Sequence, residues 1–241
     1  MINEILNFKR SIPSIGLYTR KFRFGPERSM LKKFITDYSQ KIKSNKDSIA
    51  IFQEPMIETG FPDVVFVKYN PNVFDKWTKN RVNLDVDDIK LLHYLHNVNG
   101  ANADVIKKQI GMKDGKILHS IERLIDAKLV TRQANQWVIS DLESIFGVKQ
   151  IIAVEAKIAD TTSVVNQARA NMWYASESYI LSSIPKPSND LLASLQLYGV
   201  GIISLQKNKF NQIQPPAKLN IPSSYLSWIF NEWIGRKLFH S

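Results

Sequence analysis

Gln150-Ile151-Ile152-Ala153-Val154-Glu155-Ala156-Lys157 is the stretch whose reading decides the fold. Its Ile and Val content is that of a buried strand. The run closes on an acid and a lysine two residues apart, which places Glu155 and Lys157 on one face. A carboxylate in so apolar a strand costs free energy unless it is paired or bound to a metal. Glu155 therefore calls for a partner.

A second acid has the same setting. Asp63 stands at the head of Val64-Val65-Phe66-Val67, after the turn Gly60-Phe61-Pro62. Two carboxylates from neighbouring strands can share a hard divalent cation such as Mg²⁺ or Mn²⁺, which takes oxygen ligands. A lysine beside them can orient or deprotonate a water. Those are the parts needed to hydrolyse a phosphodiester. An acid, one residue, then Lys also occurs at Asp88-Ile89-Lys90, Asp114-Gly115-Lys116 and Asp126-Ala127-Lys128, but none of these follows an apolar strand.

Outward from these two strands the pattern is α/β. Residues 1–24 read as irregular, broken by Pro13 and Gly16. An amphipathic helix is predicted from Ser29 to about Ile42, a turn at Asn45-Lys46-Asp47, and strands at Ser48–Met56 and Asp63–Tyr69. Beyond Lys157 follow a helix (Ser163–Ala175), a strand (Ser178–Ser182) and a helix from Asn189 or Asp190 to about Leu197. A strand (Gly199–Leu205) comes next, then a packing helix within 221–239.

The stretch between Asp63 and Glu155 has a different rhythm. Asp85 is placed to cap a helix carrying Val86, Ile89, Leu92 and Leu95. Ala103–Ile110 form a short second helix, and Ile117, Ile121, Leu124 and Ile125 mark a third. Leu129–Ile139 then read as a small hairpin.

Composition sets the limits. The chain has 241 residues, a net charge of +10 and a pI near 9.6. Residues 1–46 hold eleven Lys/Arg against three acids, a balance suited to a polyanion such as nucleic acid. There is no cysteine, so disulfides and thiolate metal sites are excluded. No apolar run is long enough to span a bilayer, and no signal peptide is recognisable. No membrane partner and a cytoplasmic, nucleoid-associated location are the expectations. There is no phosphate-loop glycine pattern or dinucleotide fingerprint. His93 and His96 read as neighbours on a helix face, and Trp77, Trp137 and Trp173 as packing residues before base-stacking ones.

With the middle segment removed, the order is helix, three strands, helix, strand, helix, strand. That order, with Pro62-Asp63 on the second strand and Glu155-Ala156-Lys157 on the third, resembles the PD-(D/E)xK (restriction-endonuclease-like) nuclease superfamily. The resemblance covers roughly residues 29–72 and 147–205. It implies a central mixed sheet flanked by helices, with a discontinuous core at 1–76 and 146–241. It also implies Mg²⁺ or Mn²⁺ held by Asp63, Glu155 and the Ala156 carbonyl, with Lys157 stabilising the nucleophile or developing charge. Glu54 is the candidate extra acid, with Glu58 in reserve. Gln167 lies where some branches carry a Gln-x-x-x-Tyr motif. Here Asn171 occupies the Tyr position, and Tyr174 follows one turn later.

Residues 77–145 resemble a winged helix-turn-helix. That implies duplex DNA as partner, with Lys113, Lys116, His119 and Arg123 as candidate contacts from the third helix. The expected activity is that of a metal-dependent DNA endonuclease. The alternative is a non-catalytic DNA-binding regulator or structural subunit built on a nuclease-like core. Cutting both strands needs two active sites, which makes a homodimer the arrangement to expect.

Overall fold

The computed structural model describes residues 4–21, 25–44, 48–158 and 162–240, so the turn expected at Asn45–Asp47 lies outside the described residues. In chain order the elements are β1 (Ile5–Phe8), α1 (Pro26–Ser44), β2 (Ser48–Gln53), β3 (Val64–Tyr69), α2 (Lys79–Val82) and α3 (Val86–Asn97). There follow α4 (Ala103–Ile110), α5 (Asp114–Asp126), β4 (Val130–Gln133), β5 (Gln136–Ile139), α6 (Leu142–Ile145) and β6 (Val148–Lys157). The chain ends with α7 (Thr162–Asn171), β7 (Glu177–Ser182), α8 (Asn189–Leu197), β8 (Gly201–Gln206), β9 (Lys209–Gln214) and α9 (Tyr225–Phe239). They divide into two compact units, residues 1–69 with 148–223 and residues 70–147 with 224–241.

The first unit is a seven-stranded mixed sheet in the order β1-β2-β3-β6-β7-β8-β9. β3 runs antiparallel to both its neighbours, β2 and β6, whereas β6, β7 and β8 are parallel. The parallel connections need crossovers, and α7 and α8 supply them. Helices cover both faces, so the central strands are buried along most of their length and do not alternate between buried and exposed. On one face Met30, Leu31 and Phe34 of α1 pack on Ile49, Ile51, Phe66, Ile152 and Val154. On the other, Val164, Val165 and Ala168 of α7 join Leu195 of α8 against Ile180 and Ile202.

Two strands escaped the sequence reading. The segment 1–24, expected to be irregular, contains β1, which pairs in parallel with β2 and buries Leu6 and Phe8. Phe8 stacks on Phe52 with ring centroids 4.3 Å apart. β9 pairs antiparallel with β8 at the opposite edge. It is largely exposed and polar, which hides a strand signal but suits a sheet edge. The strand expected to reach Met56 stops at Gln53, because Glu54 adopts φ +47° and turns the chain away.

In the second unit α3 begins with a capping box. The Asp85 carboxylate accepts from the Asp88 amide at 3.0 Å, and the Asp88 carboxylate from the Asp85 amide at 2.9 Å. α4, α5 and the β4–β5 hairpin complete three helices and a two-stranded sheet. The hairpin turns on Ala134, at φ +52°.

The last helix belongs here too. Residues 224–241, which the sequence reading placed with the core, pack in this unit through Trp228, Phe230, Trp233 and Ile234. A buried polar anchor accompanies this packing. Arg81 donates to Glu232 of α9 through Nε at 3.2 Å and a terminal nitrogen at 2.7 Å, and also to the Ile145 carbonyl at 2.7 Å. Trp77 lies against that guanidinium, 4.2 Å from centroid to Cζ.

Among the described residues no helix is long and apolar enough to cross a membrane.

Candidate active site

The sheet register builds the site. Val64 pairs with Val154, so one step on Asp63 faces Glu155 across β3 and β6. Gln53 pairs with Val64, so one step on Glu54 faces Asp63, and the Glu54 amide donates to the Asp63 carbonyl at 3.1 Å. Three acids, two of them flanking β2 and β3 and one within β6, therefore stand in one row across adjacent strands. Residues opposed in this way bring their side chains close together.

A cavity of about 200 Å³ opens over this row. Asp63, Glu155, Ala156, Lys157, Glu54 and Gln167 all line it, so the structure gathers the whole core-site set read from the sequence. Glu58 is exposed on the β2–β3 connection and does not line it. Arg20, Glu27, Arg28, Leu31 and Phe61 complete the walls. The sequence offered only charge as a sign of Arg20, Glu27 and Arg28, because they precede the acids by long stretches and meet them only through the fold.

Each acid is held by a specific donor. The Asp63 carboxylate accepts from the Ala156 amide at 2.7 Å, which ties β3 to β6 beyond their ladder. Glu155 is buried and accepts from the Asn171 side-chain amide at 2.7 Å. The Tyr174 hydroxyl donates to the Asn171 oxygen at 3.1 Å and so fixes which way that amide points. Asn171 ends α7 and Tyr174 lies in the following turn. Gln167 stays exposed at the cavity wall and does not take part in this chain.

Burial dominates the electrostatics. It pushes the Asp63 carboxyl up to about 6, with Glu54 adding to the rise and the Ala156 amide, Arg20 and Lys157 opposing it. Burial and then the Asp63 charge push Glu155 up to about 8, against the pull of Asn171. Two carboxylates placed so close resist ionising together.

Lys157 does not pair with either acid. Its ammonium lies 3.5 Å from the Glu27 carboxylate at the start of α1. Glu54 is engaged as well, with Arg20 Nε donating to its Oε2 at 2.5 Å. Among the described residues no three His, Cys, Asp or Glu side chains are gathered closely enough to hold a metal by themselves. The donors at hand are Asp63, Glu155 and the Ala156 backbone, a hard oxygen set. Mg²⁺ is commonly held by one or two carboxylates with water completing its shell, and this set fits that pattern.

In the second unit, the four residues expected to touch DNA all come from α5 or its cap. Lys113 is the N-cap residue, and Lys116 reaches Asp87 at 3.4 Å. His119 is exposed and sits 3.4 Å from Glu122. Arg123 is committed to the fold: it donates to the buried Asp88 at 2.9 and 2.7 Å and to Asp85 at 3.0 Å, clamping α5 on the start of α3. Burial lowers the proton affinity of both His93 and His96, and His93, with His96 beside it, is pushed down to about 4. Trp77 is buried, and Trp173 is the exposed one of the three tryptophans singled out.

Comparison with protein-family models, curated proteins and solved structures gave no match.

Proposed function

We propose that this protein is a metal-dependent DNA endonuclease whose site is the acid row of the first unit. One observation carries this reading. Asp63 and Glu155 face each other across β3 and β6 in a cavity that also holds Lys157, Arg20 and Arg28. Two acids of raised proton affinity beside several cations suit a cation and a phosphate together.

Asp63, Glu155 and the Ala156 carbonyl would hold Mg²⁺ or Mn²⁺, and the ion, when bound, supplies an acidified water and polarises the phosphate. The protein's own part is positional. Ala156 N–H fixes Asp63, and Asn171 with Tyr174 fixes Glu155. Lys157 brings positive charge to the cavity for the attacking oxygen or the developing charge on phosphorus. Gln167, exposed on the cavity wall, is placed to meet a substrate on entry in this reading.

Duplex DNA is favoured by charge and by the insert. The first unit has nineteen Lys/Arg against eleven acids, whereas the second has thirteen against eleven. Most of the non-specific grip on phosphates then falls to the first unit. The three helices and hairpin of the second unit, read as a winged helix, add Lys113, Lys116 and His119 from α5.

The test is plasmid cleavage with Mg²⁺, Mn²⁺ or chelator, next to a duplex-binding assay. Cutting is expected with either metal, and Asp63→Ala or Lys157→Ala should abolish it while duplex binding persists. Undiminished cutting by Asp63→Ala would overturn the assignment. Duplex binding with no metal-dependent cutting under any condition would favour the non-catalytic DNA-binding alternative.

A further inference from the structure

Glu54 is the odd member of the acid row. It stands at the end of β2 in line with Asp63 and Glu155, is buried, and lines the same cavity. Its carboxylate nevertheless turns to Arg20. Its backbone sits at φ +47°, a region that side chains other than glycine seldom occupy. That conformation is fixed from both sides. The Glu54 amide donates to Asp63, the Arg20 amide donates to the Glu54 carbonyl at 3.0 Å, and Thr19 bridges Pro55. The backbone is pinned by these bonds, and the carboxylate accepts from Arg20.

Arg20 is placed for two jobs. Its guanidinium lies 5.2 Å from the Phe61 ring, and its side chain is 43% exposed. Its charge reaches both Asp63 and Glu155. A planar guanidinium binds carboxylate and phosphate by the same two-pronged geometry. A phosphate entering this cavity therefore competes with Glu54 for Arg20.

Resting on the nuclease reading, we infer that Arg20 is the substrate-phosphate receptor of this site and that Glu54 holds it in reserve. Arrival of a phosphodiester exchanges Arg20 from Glu54 to the phosphate. Glu54 is then released beside Asp63 as a third carboxylate for the cation. Metal and phosphate thereby assist each other, since each favours the separated arrangement of Arg20 and Glu54. No covalent step is involved; one ion pair replaces another.

Two variants give opposite signs. Calorimetric titration with inorganic phosphate, in chelator, should show Arg20→Gln binding roughly threefold to tenfold more weakly than the parent. Glu54→Gln should bind phosphate tighter by a similar factor, because the internal competitor is gone. Titration with Mn²⁺ without phosphate should show the reverse for Arg20→Gln, a tighter site, because Glu54 is no longer held. Weaker phosphate binding by both variants, or weaker Mn²⁺ binding by Arg20→Gln with its fold intact by circular dichroism, would overturn the exchange. Failure of the nuclease reading looks different: Mn²⁺ would bind none of the proteins, and Asp63→Ala would change nothing.

Discussion

Replacing Asp63 with asparagine should stabilise the metal-free protein, and by an amount that depends on pH. Asp63 accepts from the Ala156 amide, and an asparagine oxygen can keep that bond. What the change removes is a negative charge beside Glu155 and Glu54. Burial lifts the Asp63 carboxyl from 3.8 to about 6. At about 1.36 kcal/mol for each tenfold in proton affinity, keeping it ionised costs up to about 3 kcal/mol. Asp63 is half-buried and the cavity admits water, so about 1–2 kcal/mol is the working figure.

The sign follows from the direction of the shift. A carboxyl whose folded pKa is raised stabilises the fold fully below its unfolded pKa, and that contribution is lost as pH rises through the folded value. In chelator, the parent should lose stability between about pH 4 and pH 7, while Asp63→Asn loses less. Differential scanning calorimetry should find the two alike near pH 4 and the variant about 3–6 °C higher at pH 8. Mg²⁺ at millimolar concentration should raise the parent at pH 8 and leave the variant nearly unmoved. An equal gain at pH 4 and pH 8, or a variant less stable than the parent at pH 8, would refute the view that the acids repel until a cation joins them.

Two further outcomes concern the second unit. Glu232→Ala leaves Arg81 buried with its charge unanswered and should cost about 3–5 kcal/mol by denaturant unfolding. Gly235→Ala, normally favourable within a helix, should instead destabilise by about 1–3 kcal/mol, because a Cβ there would meet the Trp77 ring at 2.1 Å; the same denaturation assay measures it.

The site was legible where chemistry broke a local pattern. A carboxylate inside a Val/Ile run is conspicuous, so Asp63 and Glu155 could be found before any contact was known, and the antiparallel register then set them face to face. The helix starting at Asp85 announced itself through its cap. What stayed hidden depended on distant partners. Arg20 is an ordinary charged residue until the fold brings it 2.5 Å from Glu54. Asn171 looked like a departure from a motif, whereas it is the donor that holds Glu155. β1 is four residues long, and β9 is too polar to read as a strand. α9 carries apolar residues that fit any core, and the buried Arg81–Glu232 pair that ties it to the helical unit is a contact between distant residues.

The chain crosses between its two units after residues 69, 147 and 223. Each unit is thus completed by sequence that follows a detour through the other. During synthesis Asp63 is made early but waits for the whole insert before Glu155 exists to face it. The insert in turn waits for every strand of the first unit before α9 arrives to close its core. Such interleaving raises the sequence separation of the contacts that define each unit, a property that slows folding. It also means that loss of residues 224–241 would first unravel the helical unit, while the acid row, built from earlier sequence, would keep its own sheet.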